Sequence, residues 1–128
     1  MILEVPLDVP RTIDTVFFDA GNTLVTIDFD RLSAALARAG VQAAAEALAQ
    51  AELSARLVVD RPEHIQATVD RDRWKGYFRG MLARAAPQDE ARFAAAFDAI
   101  EEEHHKLNLW QRVPPGTDDL LSTLEERG

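Results

Sequence analysis

One short run limits what this chain can fold into. Residues 14–19 read DTVFFD: Val16, Phe17 and Phe18 lie side by side and end on Asp19, followed by the small, turn-prone Ala20, Gly21 and Asn22. A continuous rather than alternating apolar run predicts a strand covered on both faces, as in a parallel sheet. Such a strand needs a neighbour on each edge, because unpaired backbone groups there are costly. The sequence offers no second strand of comparable quality. Leu57, Val58 and Val59 form too short a run and sit inside a helical pattern. The strand is therefore expected to pair with another chain, or the sequence to belong to something longer.

Everything else with a clear period is helical. Asp28 or Asp30 can cap a helix that uses Leu32 and Leu36 as apolar positions and stops at Gly40. Residues 42–59 are dense in alanine, the strongest helix former, with Gln42, Glu46 and Gln50 as a polar stripe and Pro62 as the expected end. The clearest helix runs from about 70 to 85, where Trp74, Tyr77, Phe78, Met81, Leu82 and Ala85 share one face. A further helix is expected over 88–106, with Phe93, Ala96, Phe97, Ile100 and His104 on one side. Residues 107–116 read as a connection. A last helix from Thr117 is expected to bury Leu120, Leu121 and Leu124. Pro6 and Pro10 keep the first ten residues from reading as helix.

Charge and composition exclude several classes. A net charge of −8 offers no basic footprint for nucleic acid. The absence of cysteine excludes disulfides and thiolate metal sites. No apolar run is long enough to span a membrane, and the N-terminus MILEVPLDVP lacks the layout of a secretory signal. A cytoplasmic location is expected, with no nucleic-acid or membrane partner.

The stretch TVFFDAGNTLV resembles the first motif of the haloacid dehalogenase (HAD) superfamily, a hydrophobic strand followed by D-x-D-x-T-L. Asp19, Thr23 and Leu24 carry the match. The helices that follow resemble the cap that one branch of the family inserts just after this motif. LWQRVPPGTDDLLSTLEERG resembles the return to the core. The resemblance implies an α/β Rossmann-like core, present here as one strand and one return helix, with an inserted helical cap, the whole mainly α by residue count. It divides the chain into 1–26 (start of the core), 27–110 (cap) and 111–128 (return, ending before the second core strand).

By the same resemblance, Asp19 is a nucleophile that forms an acyl-phosphate or ester later hydrolysed by water. Thr23 orients its loop, Asn22 belongs to the small residues that approach the phosphate, and Asp19 with the Gly21 carbonyl holds Mg²⁺. The implied activity is Mg²⁺-dependent hydrolysis of a small phosphorylated metabolite. Read without the resemblance, Asp19 starts an Asx-type turn with Gly21 and Asn22. Two departures stand out. Gly21 replaces the usual second aspartate, the general acid and base. The later motifs, a Ser or Thr, a Lys or Arg and an acidic pair, have no counterpart after Gly128. The chain is thus expected to be incomplete and inactive alone. The alternatives are a dehalogenase-like carbon–halogen hydrolase and a non-catalytic helical interaction module. Self-association through the unpaired strand or the cap is expected.

Three further features have a bland and a functional reading. Arg71, Arg73, Lys75, Arg79 and Arg84 read first as a solvated face, and second as a source of one contact to an anionic substrate. In Glu101–His105, EEEHH, adjacent residues on a helix diverge, so the run reads as packing and surface rather than a metal site. Trp74, Tyr77 and Phe78 read as bundle core before pocket, and Trp110 as a residue at the hinge between cap and core.

Overall fold

The computed structural model describes residues 14–59, 61, 63 and 70–128. In chain order it contains β1 (Thr26–Ile27), α1 (Phe29–Arg38), α2 (Ala45–Val59), α3 (Asp70–Ala85), a 3₁₀ turn (Pro87–Arg92), α4 (Phe93–Lys106), β2 (Trp110–Arg112) and α5 (Thr117–Glu126). The architecture is mostly helical, with one small antiparallel ribbon, β1 on β2. Among the described residues no helix is long and apolar enough to cross a membrane. The expectations for residues 1–13 and for Pro62 lie outside the described residues.

Local chemistry sets the start and end of α1. The Asp28 side chain accepts the Arg31 N–H at 3.1 Å, an N-cap. At the other end Gly40 takes φ +80°, its N–H bonds the Ala37 carbonyl, and the Val41 N–H bonds the Leu36 carbonyl. This pair of bonds is a Schellman motif, and buried Leu36 and Val41 provide its apolar contact. A Cβ at Gly40 would also come within 3.1 Å of Arg92 Cδ. Gly40→Ala is therefore expected to cost about 1–2 kcal/mol, the left-handed penalty for a side chain, read as a lower urea midpoint.

The core lies between the helices. Ile27, Leu32, Leu36, Leu48, Phe78, Met81, Leu82, Ile100 and Leu109 are fully buried. α2 and α3 make the most extensive pairing, and α1 rests on α4 and α2. Ala51 and Ala55 keep the α2 face low; an added Cβ on Gly80 would touch Ala55 Cβ at 3.4 Å. The face expected for α3 is the face that packs: Tyr77, Phe78, Met81 and Leu82 are buried, with Trp74 and Ala85 partly so.

The helix expected over 88–106 starts instead at Phe93, because Asp89 breaks it at φ −104°, ψ 16°. Its buried carboxylate turns inward to accept the Gln42 N–H at 2.9 Å and Arg92 Nη1 at 3.0 Å, latching the α1–α2 connection.

The acidic run on α4 is structural. Glu103 Oε1 accepts from Arg31 Nη2 at 3.1 Å, and Oε2 from Arg38 Nη2 at 2.8 Å. Arg31 also donates to the Leu107 and Asn108 carbonyls at the end of that helix. His104 Nδ1 accepts the Leu109 N–H at 3.2 Å. The Arg31 hydrogen bond, followed by that of Arg38, holds the Glu103 carboxyl below the usual glutamate range. A depressed carboxylate stabilises the fold above its ordinary titration range and loses that contribution as pH falls through its folded value. Native protein is thus expected to lose more stability than Glu103→Gln as pH drops from about 6 to about 3, in urea melts taken across that interval.

Other expectations are corrected. No strand forms over 14–19. Val16 is 51% and Phe17 93% exposed. Among the described residues no strand lies beside the run to complete a backbone ladder. The short ribbon forms further along, where two parts of the chain do meet. The final helix does not bury its leucines either: Leu120 is 48% and Leu121 39% exposed. Leu121 and Leu124 line a groove with Val16 and Phe18 instead of packing into the core. Residues 107–116, read as a connection, contain β2. The parallel-sheet core expected from the opening run is absent from the described residues, while the mainly helical composition is present.

Candidate functional site

The ribbon positions the site. Thr26 pairs with Arg112 and Ile27 with Trp110, across a bulge. The Asp28 N–H adds a bond to the Leu109 carbonyl at 2.8 Å, and Arg112 Nη2 reaches Asp30 Oδ2 at 2.8 Å. The whole bundle between them leaves and rejoins the chain at one spot, directly after the loop that carries Asp19.

That loop is held by its own backbone. The N–H groups of Thr23, Leu24 and Val25 converge on the Ala20 carbonyl, and the Asn22 N–H bonds the Val25 carbonyl at 2.7 Å. Asn22 supports this turn at φ +59°, a conformation asparagine tolerates better than most residues. Its Oδ1 accepts Trp110 Nε1–H at 3.3 Å, which ties the loop to β2. Asp19 is exposed; its Oδ1 accepts the next residue's N–H, that of Ala20, at 2.9 Å. This differs from an Asx turn, which would bond two residues on. Thr23 contributes its N–H to the turn.

A cleft of about 620 Å³ opens between this loop and the bundle. Asp19, Gly21, Asn22 and Thr23 line one side. Arg56 and Val59 of α2, Arg73, Trp74 and Tyr77 of α3, and Trp110 of β2 line the rest. The four residues of the TVFFDAGNTLV stretch given a site role, Asp19, Gly21, Asn22 and Thr23, therefore share one cavity, which Leu24 of the motif match does not line. The aromatic rings adjoin: Tyr77 stacks toward Trp110 at 6.4 Å with 26° between planes, and Trp74 lies 4.7 Å from Phe78. Phe78 itself is core, whereas Trp74 and Tyr77 serve both core and cleft.

Glu52 is the residue that pattern reading missed. It is only 7% exposed on the apolar face of α2, between Leu48 and Ala55. Oε1 accepts the Tyr77 hydroxyl at 2.7 Å and Oε2 accepts Arg56 Nη2 at 3.3 Å. Buried carboxylates persist when paired in this way. Its signal was faint but present: an acid four residues before an arginine, at an apolar position of an otherwise nearly uncharged helix. The basic face of α3 divides. Lys75, Arg79 and Arg84 are exposed, Arg79 lying over the Phe97 ring at 5.6 Å, whereas Arg73 is half-buried in the cleft wall.

The donors near Asp19 fit a hard cation only in part. The Asp19 carboxylate and the Gly21 carbonyl are oxygen ligands, and none of the turn's bonds uses the Gly21 carbonyl. Among the described residues no group of three His, Cys, Asp or Glu side chains converges on one point. Mg²⁺ commonly binds through one or two carboxylates and completes its shell with water and substrate phosphate. Comparison with protein-family models, curated proteins and solved structures returned no match.

Proposed function

We propose that this chain carries the nucleophile and the leaving-group wall of a HAD-type hydrolase, acting on a small phosphorylated metabolite through an aspartyl-phosphate on Asp19. One observation carries the reading: the cleft joins the motif loop, Asp19 to Thr23, to two arginines and three aromatic rings contributed by the bundle and β2. A lone exposed aspartate in a turn would not need such surroundings.

The chemistry follows from what lines the cavity. An Asp19 carboxylate oxygen attacks phosphorus, an O–P bond forms, and the bond to the leaving oxygen breaks. Water then attacks the acyl-phosphate and frees Asp19 and inorganic phosphate. Splitting one hard displacement into two is the gain of covalent catalysis. Arg56 and Arg73 supply positive charge beside the anion; phosphoryl transfer depends chiefly on such positioning and electrostatics. Mg²⁺ held by Asp19 and the Gly21 carbonyl would neutralise phosphate charge and so lower the cost of bringing two anions together. Gly21 has no proton to give, so the leaving oxygen takes its proton from water.

Gly21 also favours a second reading. Halide needs no proton on departure, so carbon–halogen hydrolysis by the same aspartate loses nothing at this position. Chelating divalent metal separates the two: phosphoryl transfer stops, and turnover of a 2-halo acid continues. The test of the first reading is intact-mass analysis after incubation with acetyl phosphate and Mg²⁺. Accepting a phosphoryl group from an activated donor asks less of the site than full turnover, which the chain alone is expected to lack, so the expected result is still a gain of one phosphoryl group, mapped to the peptide containing Asp19. No such gain overturns it.

A further inference from the structure

We propose that Arg56, clasped by the buried Glu52, is the specificity-determining group of the cleft, and that it selects substrates bearing a second anionic group, a carboxylate, on the leaving-group side. The inference deepens the reading of Asp19 as nucleophile and rests on it.

Arg56 does not face open solvent like most cations on this surface. Its side chain is one-third exposed and lines the cleft on the wall built by the bundle, with Asp19 on the wall built by the loop. Among the described residues only Nη2 is engaged, with Glu52 at 3.3 Å. A guanidinium carries five N–H donors in a planar fork, so the remaining donors can meet both oxygens of a carboxylate at once. Glu52 limits how the fork can swing. Its other oxygen takes the Tyr77 hydroxyl from α3, so one buried carboxylate fixes two cleft residues from two helices. A positioned arginine loses less freedom on binding than a free one.

The surroundings strengthen that contact. Trp74, Tyr77 and Trp110 place apolar surface beside it, and charges interact more strongly as water is displaced around them. Arg73 adds a second positive charge to the cavity, whereas among the described residues Asp19 is the one acidic side chain lining it. The chain as a whole carries −8, so anions are repelled from its surface in general. Two arginines in one aromatic cleft are a local exception. The substrate class is thus a short phosphomonoester whose alcohol portion carries a carboxylate.

The chain has two tryptophans, Trp74 and Trp110, and both line the cleft, so intrinsic fluorescence reports on this site alone. The experiment titrates the full chain in an Asp19→Asn background, which prevents turnover, with phosphoglycolate and with ethyl phosphate. These probes share a phosphomonoester and differ in carrying a carboxylate or a methyl group. Phosphoglycolate should bind about tenfold tighter, the scale of one charge-assisted pair. Arg56→Gln should bring the two affinities within about twofold of each other, while Arg79→Gln, an equal loss of charge outside the cleft, should leave the preference intact. Equal affinities before any change at Arg56, or a preference that survives Arg56→Gln, overturn the proposal. The ratio in the Asp19→Asn chain decides the matter even if Arg56→Gln fails to fold. Failure of the nucleophile reading looks different: the carboxylate preference persists, and native protein gains no phosphoryl group from acetyl phosphate.

Discussion

Asp19→Asn is expected to abolish phosphoryl transfer to the protein while leaving its stability unchanged. The two halves of that expectation have separate causes. Asp19 is exposed, and among the described residues its only hydrogen bond reaches the neighbouring Ala20 N–H. An asparagine Oδ1 can accept the same bond, so the turn closed by the Ala20 and Val25 carbonyls should persist. An amide is a poor nucleophile and cannot form an acyl-phosphate that water discharges. Intact-mass analysis of native and variant chains with acetyl phosphate and Mg²⁺, beside their urea midpoints, measures both halves. An adduct of equal yield in the variant would place the nucleophile elsewhere. A large fall in the midpoint would instead make Asp19 a structural residue.

The second large effect is a gain. On the proposed reading, Gly21→Asp is expected to raise whatever residual hydrolysis of alkyl phosphates the chain retains by about a hundredfold or more, within the range of general acid–base catalysis. The backbone accepts the change: Gly21 does not adopt a left-handed φ, and an added Cβ meets nothing within 4 Å. The new carboxyl would stand two residues after the nucleophile, on the same wall of the cleft. Its benefit should depend on the leaving group. An alkoxide needs a proton as it departs, whereas p-nitrophenolate leaves readily without one. Rates with ethyl and p-nitrophenyl phosphate should therefore diverge in their response to the substitution. An equal gain with both, or none with either, would remove acid catalysis from the account and strengthen the case for halide as the natural leaving group.

Some of this was written plainly in the sequence. The cap at Asp28 (one of two aspartates the sequence offered), the stop at Gly40 and the face of Trp74, Tyr77, Phe78, Met81 and Leu82 are local signals. Each depends on neighbours within a turn or two, and each appears in the structure. The grouping of Asp19, Gly21, Asn22 and Thr23 was legible for the same reason, since one tight turn carries all four. What escaped depends on distant partners. Trp110–Arg112 is a strand only because Thr26 and Ile27 lie against it. Residues 14–19 have the composition of a strand and lack such a partner among the described residues. Asp89 breaks a periodic helix because a backbone N–H at Gln42 needs an acceptor. Arg56 joined the site unannounced, because its role depends on a glutamate that looked out of place among alanines.

The ribbon of β1 and β2 has a consequence for how such a molecule can change over time. The bundle leaves the chain at Asp28 and returns at Leu109, and one backbone hydrogen bond joins those two points. Every residue between them could be exchanged for another fold whose ends meet at strand spacing, about 4.8 Å, without moving the turn that holds Asp19. On the proposed reading, reactivity and selectivity would thus occupy separately heritable pieces. Drift in the helices would then rewrite which molecules are admitted, and the aspartate proposed to react with them would be left as it was.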